Sequence, residues 1–211
     1  MTTIAILGAG RVSANLATKL LEAGHRVTVG TRGGVDNWAG PPITLAGMEQ
    51  AARDSEIVVN ATPGEGSVER LAALRDALDG KILIDLTNAT GRDDEGRPSG
   101  LLYTDRSLAE HIQQALPGTR VVKTLNTMLF SVMTAPGSLS SPLTAFLSGN
   151  DAEAKATVWG LLADLGWADE WIEDLGDITT ARGTEALMLL VPSIVRNHGL
   201  KPFALTISSV R

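Results

Sequence analysis

The amino-acid sequence predicts an α/β protein built on a doubly wound, mainly parallel sheet, with a small helical extension at its C-terminal end. Short apolar runs alternate with amphipathic segments along most of the chain, which is the order of elements in a βαβ architecture. The runs are apolar on both faces, as in strands that helices cover on both sides. Gly8-Ala9-Gly10 stands between the first run and the first amphipathic segment. Together these observations indicate the Rossmann type of fold.

The apolar runs and the segments between them define the predicted elements. Strands are expected at residues 4–7, 26–30, 56–60, 81–86, 120–125 and 143–148. Helical spacing of apolar residues predicts helices at 12–23, 67–78 and 107–116. Turn sequences that contain glycine follow the first helix and precede the fourth and fifth strands. This alternation predicts right-handed crossovers between parallel strands.

Three segments lack a clear period. Residues 33–47 contain Gly-Gly and Gly-Pro-Pro, so we expect the second crossover to be a loop more than a helix. Residues 87–103 are polar and rich in glycine, which is typical of a mobile or lid-like loop. Residues 127–142 combine Ser, Thr, Pro and Gly with several apolar side chains, and we expect them to pack over another part of the molecule.

The last quarter of the chain carries further helices. A helix is predicted at 152–165 with Asp151 near its cap, followed by a strand-like segment at 167–176. A long helix is predicted near 180–198, and Pro192 should kink it.

The predicted C-terminal helix is apolar nearly all round, and the tail at 202–210 is also apolar. We therefore expect this helix to be buried in a homodimer, and the alternative is that it packs entirely on its own sheet. The predicted organisation is a nucleotide-binding domain over residues 1–149 and a helical, dimerisation segment over 150–211.

Composition excludes several functional classes. The hydrophobic content of 44% and charged content of 20% are ordinary for a soluble globular protein. The net charge of −6 is spread along the chain, which argues against binding to nucleic acid or to an anionic membrane. No apolar run approaches the roughly 18 residues of a membrane span, and no signal peptide precedes the first strand. The absence of cysteine excludes disulfides, a thiolate nucleophile and cysteine-ligated metals. These features predict a cytoplasmic protein.

The glycine turn after the first strand predicts a pyrophosphate site. Gly8 and Gly10 permit a tight turn and let a phosphate approach the backbone at the positive end of the first helix. The usual fingerprint has a third glycine, and this chain has Ser13 there, followed by Ala14. A small residue still allows close packing of helix on strand, so the motif is altered but retained.

The end of the second strand predicts which nicotinamide cofactor binds. An acidic residue about 20 residues beyond the glycines would accept hydrogen bonds from the ribose 2′-hydroxyl of NAD. This chain has Thr31-Arg32 there, 22 residues beyond Gly10, with no carboxylate beside Arg32. A guanidinium and a hydroxyl suit the 2′-phosphate of NADP(H). A hydrogen bond to a charged group contributes about 1.5–3 kcal/mol, or roughly 10- to 150-fold in affinity, so the sequence predicts NADP(H) rather than NAD(H).

Several further segments carry a resemblance to a known family. These are "ILGAGRV", "VTVGTR", "DLTNAT" at 85–90, "VVKTLNTM" at 121–128, "SGNDAEAK" at 148–155 and "DLGDITTARGTEAL" at 174–187. In this order, and over nearly the whole chain, they resemble the NADPH-dependent F420 reductase family, which exchanges hydride between NADP(H) and the deazaflavin coenzyme F420. Related hydroxy-acid dehydrogenases and imine reductases open similarly but have a much longer helical C-terminal domain.

The resemblance implies a set of site residues. It implies NADP(H) as cofactor, F420 as co-substrate and a second pocket that the segment after residue 179 helps to form. The chain differs from the family pattern at 128–130 and at Ala89, at the rim expected for that pocket. The implied cofactor-binding residues are Gly8, Ala9, Gly10, Arg11, Val12 and Ser13 near the pyrophosphate, Thr31 and Arg32 at the 2′-phosphate, Ala61, Thr62 and Pro63 past the third predicted strand, Asn88, and Asn126 and Thr127 by the nicotinamide.

No side chain stands out as a catalytic acid or a metal ligand. Tyr103 has Ser107 rather than lysine four residues on, which excludes the Tyr-x-x-x-Lys proton donor of short-chain dehydrogenases. We interpret His25 as a helix-end residue, His111 as a solvated or packed helix residue, and His198 as the end of the long helix. Hydride transfer between two bound cofactors needs orientation more than acid–base help, so we expect no catalytic residue and no metal.

Two other functions stay open on the sequence. One keeps NADPH but replaces the deazaflavin with a small quinone, flavin or imine acceptor, and the unusual loop at 128–133 favours it. The other is an NADPH-binding sensor without turnover.

Overall fold

An eight-stranded sheet forms the centre of the molecule, in the order β10-β9-β8-β5-β4-β1-β2-β3, and a separate hairpin is formed by β6 and β7. The computed structural model describes residues 1–33, 38–141 and 143–207. The strands are β1 (Thr3–Leu7), β2 (Arg26–Thr31), β3 (Thr44–Gly47), β4 (Ile57–Asn60), β5 (Ile82–Asp85), β6 (Thr90–Arg92), β7 (Pro98–Leu101), β8 (Arg120–Lys123), β9 (Ala145–Gly149) and β10 (Ile172–Asp174). Neighbours in the sheet are parallel except β8 and β9. The predicted Rossmann-type, mainly parallel sheet is confirmed.

Helices cover both faces of this sheet. They are α1 (Arg11–Glu22), α2 (Met48–Arg53), α3 (Ser67–Ala72), α4 (Arg75–Leu78), α5 (Leu108–Ala115), α6 (Phe130–Met133), α7 (Ala152–Asp164), α8 (Ala181–Ala186) and α9 (Val191–His198). Side chains of β1 alternate between two cores: Ile4 and Ile6 pack in the core that includes α1 and α7, and Ala5 and Leu7 pack in the core that includes α5. This alternation explains why the strands read as apolar on both faces.

The order of the strands creates a cleft beside β1. The chain runs outward from β1 to β2 and β3, then returns to the other side of β1 with β4 and continues to β5 and β8. The loops that follow β1 and β4 therefore diverge at the carboxyl end of the sheet. In open α/β sheets such a switch point is where ligands bind.

Two segments that were expected to be irregular contain strands. The prediction of a loop at 33–47 is wrong for Thr44–Gly47, which forms the edge strand β3 parallel to β2; residues 34–37 lie outside the described residues. Within 87–103, β6 and β7 form an antiparallel hairpin rather than an irregular loop, and a mobile or lid-like role for this segment stays a prediction. None of these three strands has a strong hydrophobic signal, because each is short and contains no fully buried residue.

Two predicted helices are interrupted. The helix expected at 67–78 is divided into α3 and α4. The long helix expected near 180–198 is divided into α8, a 3₁₀ turn at Leu187–Leu190, and α9, and Pro192 lies in the first turn of α9. Proline at this position needs no N–H partner, so it starts a new helix rather than kinking one.

The C-terminal part of the chain returns to the sheet and to the loop after β8. Asp151 caps α7 by accepting a hydrogen bond from the Ala154 amide at 2.7 Å, as predicted. Strand β10 then pairs with β9. The tail crosses the segment after β8, where the Leu129 amide donates to the Phe203 carbonyl at 3.0 Å. No helix in the described ranges has the length and apolar character that crossing a membrane requires.

Candidate functional site

A cavity of about 590 Å³ opens at the switch point beside β1. Its lining comes from the ends of three strands and from two helices. The lining residues are Gly8, Ala9, Gly10, Thr31, Arg32, Gly33, Met48, Ala61, Thr62, Pro63 and Arg70. Eight of the residues that the sequence placed at the cofactor, from three separate segments, therefore line one cavity.

Helix α1 points its N-terminus at this cavity. Its cap is Gly10, no side chain caps the first turn, and no acidic residue stands in that turn. The first amides of a helix have no intrahelical partner and carry partial positive charge. This end of α1 therefore offers unpaired donors to an anion such as a pyrophosphate.

Two glycines in the turn after β1 have different physical roles. Gly8 has φ +107°, and a Cβ built there would lie 2.7 Å from the Ala61 carbonyl oxygen, so only glycine fits between β1 and the loop after β4. A Cβ at Gly10 would meet no atom within 4 Å. The space beside Gly10 is open toward the cavity, as close approach of a phosphate requires.

Thr31 and Arg32 form the rim at the end of β2. The Thr31 hydroxyl donates to the Gly33 carbonyl at 3.0 Å, and Arg32 is exposed. Both lie on the side of the cavity opposite the loop after β4. If a dinucleotide were bound at the turn after β1, its 2′-phosphate would lie beside the cation on this rim.

Three lining residues were not predicted from the sequence. Gly33 continues the rim, Met48 begins α2, and Arg70 lies on α3. Arg70 sits in an ordinary amphipathic helix pattern, so no sequence signal separates it from a solvated surface arginine.

Thr62 is fixed in the cavity wall by a buried network of hydrogen bonds. Its hydroxyl donates to Asn60 Oδ1 at 2.7 Å. The Asn60 amide nitrogen donates to Ser67 Oγ at 2.9 Å and to Asp85 Oδ1 at 2.8 Å. The ends of β4 and β5 are thereby tied to each other and to the start of α3.

Behind this network lies a buried ionic cluster formed by Asp85, Lys123 and Glu185. Lys123 Nζ lies 2.8 Å from Asp85 Oδ2 and 2.9 Å from Glu185 Oε1, and it also donates to the Thr87 carbonyl. Burial lowers the pKa of Lys123, but the charges and hydrogen bonds of Asp85 and Glu185 outweigh it and raise that pKa above its ordinary value. The lysine is therefore a structural cation, and it joins β5 and β8 to α8.

Glu185 has a second role at α5. Its carboxylate accepts hydrogen bonds from the Leu108 amide at 2.7 Å and the Ala109 amide at 3.1 Å. A carboxylate at a helix N-terminus is stabilised by the helix dipole. The sequence did not reveal the cluster because its members are far apart in the chain.

Asn88 and Asn126 form a reciprocal pair at the ends of β5 and β8. Asn126 Nδ2 donates to Asn88 Oδ1 at 2.9 Å, and Asn88 Nδ2 donates to the Asn126 carbonyl at 2.8 Å. Gly64, in the loop after β4, packs closely against Asn88, because a Cβ at Gly64 would lie 2.2 Å from the Asn88 carbonyl oxygen.

The backbone before Asn126 is unusual. Leu125 has φ +57°, a left-handed conformation that leucine rarely adopts. Such strain persists where the surrounding structure enforces it, commonly at functional sites. Thr127 follows as a buried residue whose hydroxyl has no hydrogen-bond partner within the described part of the chain.

Three predicted residues of α1 do not line the cavity. The Arg11 guanidinium lies 4.9 Å from the ring centroid of Phe130, and Val12 packs against the core. Ser13 is completely buried at the third-glycine position, which is consistent with close packing of α1 on the sheet. Their roles at the cofactor stay predictions, as do those of the other site residues.

The histidines lie in ordinary structural positions. His25 follows α1 and contacts Asp164 Oδ2 at 3.0 Å. His111 lies on α5 with its ring centroid 4.4 Å from that of Tyr103 and the two rings tilted by 38°, and His198 ends α9. Among the residues with described positions, no group of three or more His, Cys, Asp or Glu side chains could hold a metal ion.

Comparisons with known proteins agree with this geometry. The family model described as "NADP oxidoreductase coenzyme F420-dependent" matches residues 3–89. The chain is 38% identical to a candidate F420-dependent NADP reductase from Arthrobacter sp. FB24, whose crystal structure superposes with a TM-score of 0.90 and coverage of 99% of this chain and 100% of that one.

Two curated relatives extend the comparison. The chain is 30% identical over 193 residues to metalloreductase STEAP3 of Rattus norvegicus, covering 90% of this chain and 37% of the relative. It is 26% identical over 152 residues to the F420-dependent NADP reductase of Methanocaldococcus jannaschii, covering 70% of this chain and 66% of the relative. The chain thus matches less than two thirds of the length of these two relatives, but the full length of the Arthrobacter protein. By its near-complete likeness to that structure and its match to the family model, the chain belongs to the coenzyme F420-dependent NADP oxidoreductase family.

Proposed function

We propose that this chain transfers hydride between NADP(H) and the deazaflavin coenzyme F420. The observation that carries the proposal is the cavity that joins the glycine turn after β1 to the Thr31-Arg32 rim and to the loop after β4. The F420 part of the proposal is supported by the family model and by the relatives that bear this coenzyme in their names.

NADP(H) would lie in this cavity along the carboxyl ends of the strands. The turn at Gly8–Gly10 and the free amides of α1 would hold the pyrophosphate. Thr31 and Arg32 would hold the 2′-phosphate, with Ala61, Thr62 and Pro63 along the other wall. The nicotinamide would then extend toward Asn126 and Thr127, because β8 ends at the same edge of the sheet as β1.

The two cofactors supply the reactive groups. Bound NADPH would supply a hydride, and oxidised F420 would accept it together with one proton, which leaves NADP⁺. The chain orients the two rings and excludes water. The strained turn at Leu125 and the pair of Asn88 with Asn126 would fix the backbone at the nicotinamide end. The second pocket would include the segment after residue 179, completing the division into a cofactor domain (1–149) and a C-terminal segment (150–211).

The test is direct turnover. Purified protein is mixed with NADPH and oxidised F420, and bleaching of the deazaflavin absorbance is followed, with NADH as the control cofactor. Arg32→Ala should raise the Kd for NADPH by roughly 10- to 150-fold and spare NADH. Arg26→Ala is the matched control, because Arg26 is an exposed arginine at the opposite end of the same strand.

The outcomes separate the two halves of the proposal. Bleaching that depends on NADPH supports hydride transfer to F420. Tight binding of NADPH without bleaching would contradict the F420 assignment and leave the cofactor site intact. Equal losses of NADPH and NADH affinity in Arg32→Ala would contradict the role of Arg32.

A second candidate is NADPH-dependent reduction of another acceptor, such as a flavin, a quinone or an imine. It is favoured by the 30% identity to a metalloreductase over 193 residues and by the apolar side chains that follow Thr127. NADPH oxidation by free flavin at a rate above that with F420 would favour this function. Binding without turnover on any acceptor would favour a sensor.

We also propose a homodimer formed through the C-terminal segment. On the 3₁₀ turn between α8 and α9, Leu189 and Leu190 are 46% and 49% exposed, and Leu200 is 73% exposed. A second copy of this segment would cover these side chains. A light-scattering mass equal to one chain would contradict this assembly.

A further inference from the structure

We propose that Arg70 is a second specificity residue for NADP(H), supplying from α3 a positive charge that acts together with Arg32 on the 2′-phosphate. This inference rests on the proposed cofactor site and deepens it. Arg70 is separated from Arg32 by 38 positions in the chain, yet both line the same cavity.

The position of the Arg70 guanidinium is fixed by the backbone of the loop before α3. Nη1 donates to the Gly66 carbonyl at 2.6 Å, and Nη2 donates to the Glu65 carbonyl at 3.0 Å and to the Pro63 carbonyl at 3.3 Å. An arginine held by several carbonyls loses little further side-chain entropy when a ligand binds. The cation is therefore already in place in the cavity wall.

The cavity brings two positive charges together without a compensating carboxylate among its lining residues as the structure describes them. Partial burial and the charge of Arg32 both lower the pKa of Arg70. Two guanidinium groups that repel each other in the free protein are both stabilised when an anion binds between them. A dianionic ligand would thus relieve a repulsion that a neutral ribose hydroxyl would leave in place.

The charge of the ligand fits this pair. A phosphate monoester carries about −1.5 to −2 charges at pH 7, so one guanidinium does not neutralise it. Since the Nη groups of Arg70 already bond to carbonyls, Arg70 would act mainly through its charge, whereas the exposed Arg32 would donate directly to the phosphate. We therefore expect a smaller effect for Arg70 than for Arg32, about three- to tenfold in affinity.

The test compares NADPH and NADH binding by calorimetry at low and high salt. Arg70→Gln should weaken NADPH about three- to tenfold and change NADH less than about twofold. Arg70→Lys, which retains the charge but not the carbonyl contacts, should bind NADPH nearly as the unmodified protein does. The loss in Arg70→Gln should shrink at high salt, because salt screens charge interactions.

Arg75→Gln is the matched control. Arg75 is an exposed arginine that also donates to a backbone carbonyl, that of Ala115 at 2.7 Å, but it does not line this cavity. The Arg75→Gln variant should bind both NADPH and NADH as the unmodified protein does.

The alternative is that Arg70 only braces the loop from Pro63 to Gly66. In that case Arg70→Gln and Arg70→Lys would weaken NADPH and NADH alike, which would overturn the inference, as would unchanged binding in Arg70→Gln. Binding of NADPH no tighter than NADH by the unmodified protein would instead contradict the 2′-phosphate site itself, and the proposed function with it. Adenosine 2′,5′-bisphosphate compared with 5′-AMP repeats the test on the adenosine half of the cofactor alone.

Discussion

Lys123 Nζ lies 2.8 Å from Asp85 Oδ2 in the interior of the protein, where the two side chains are 1% and 0% exposed. This ion pair joins the adjacent parallel strands β5 and β8 behind the cavity at the switch point. Asp85 also accepts a hydrogen bond from the side-chain amide of Asn60, which in turn accepts one from the Thr62 hydroxyl. The ion pair therefore supports the wall of the cavity as well as the sheet.

Removing the lysine should strongly destabilise the fold. Lys123→Met leaves Asp85 and Glu185 buried without their cation, and loss of one partner of a buried pair costs about 3–5 kcal/mol. The free energy of unfolding in urea measures this effect. Lys155→Met is the control, because Lys155 pairs with the half-exposed Asp174 and should lose no more than about 1 kcal/mol. Equal losses in the two variants would show that the buried cluster contributes little.

The same cluster predicts a limit to stability at alkaline pH. The folded pKa of Lys123 is raised above its unfolded value of 10.5. Its contribution to stability is therefore fully present below pH 10.5 and is lost as the pH rises through the folded pKa. Urea midpoints measured at pH 8, 10 and 11 should fall at the highest pH more in the unmodified protein than in Lys123→Met. Parallel pH profiles in the two proteins would contradict this assignment.

Substitutions of the two glycines in the turn after β1 should have different effects, one mainly on stability and the other mainly on NADPH binding. Gly8→Ala forces a Cβ against the Ala61 carbonyl at positive φ and should cost at least about 2 kcal/mol of stability. Gly10→Ala meets no protein atom and should cost less than about 1 kcal/mol. In contrast, Gly10→Ala should weaken NADPH binding roughly tenfold or more, because its methyl group occupies the space of the pyrophosphate.

Urea unfolding and NADPH titration of these two variants provide the measurement. A destabilised Gly10→Ala that still binds NADPH normally would reverse the assigned roles.

The Asn88–Asn126 pair should act as a unit. In a double-mutant cycle with Asn88→Ala and Asn126→Ala, the two changes should couple by about 0.5–3 kcal/mol in stability, since each removes the partner of the other. Each single variant should also lower kcat roughly 10- to 100-fold with little change in the Kd for NADPH, because a small displacement at the nicotinamide misaligns the two rings. Additive stability losses, or a change in Kd without a change in kcat, would contradict this role.

The sheet was predictable because its inner strands are short, apolar and separated by amphipathic helices. The predicted strand at 4–7 differs from β1 by one residue, since burial on both faces leaves a strong signal. The edge strand β3 was missed because three of its four residues are exposed, so its sequence has no apolar period. The split of the C-terminal helix was missed because the sequence shows apolar spacing but not the 3₁₀ turn before Pro192.

The candidate site was predictable where function constrains local sequence. The glycine turn and Thr31-Arg32 lie at fixed distances along one βαβ unit, and both line the cavity. Arg70 and Glu185 were not predictable from local sequence. Arg70 meets the Thr31-Arg32 rim only in the folded cavity, and Glu185 contacts Lys123 and the start of α5, which are far away in the chain. Their side chains acquire these roles only when α3 and α8 pack against the sheet.

Glu185 completes the buried ionic cluster from a part of the chain that the ribosome adds after the rest of the cluster. When residues 1–149 have been made, Lys123 has only one of its two carboxylates, and the first amides of α5 have no acceptor from Glu185. Because translation proceeds from the amino end, Glu185 joins this cluster only after Asp85 and Lys123 have been made. The buried cluster of Asp85, Lys123 and Glu185 is thus complete only after α8 has been synthesised.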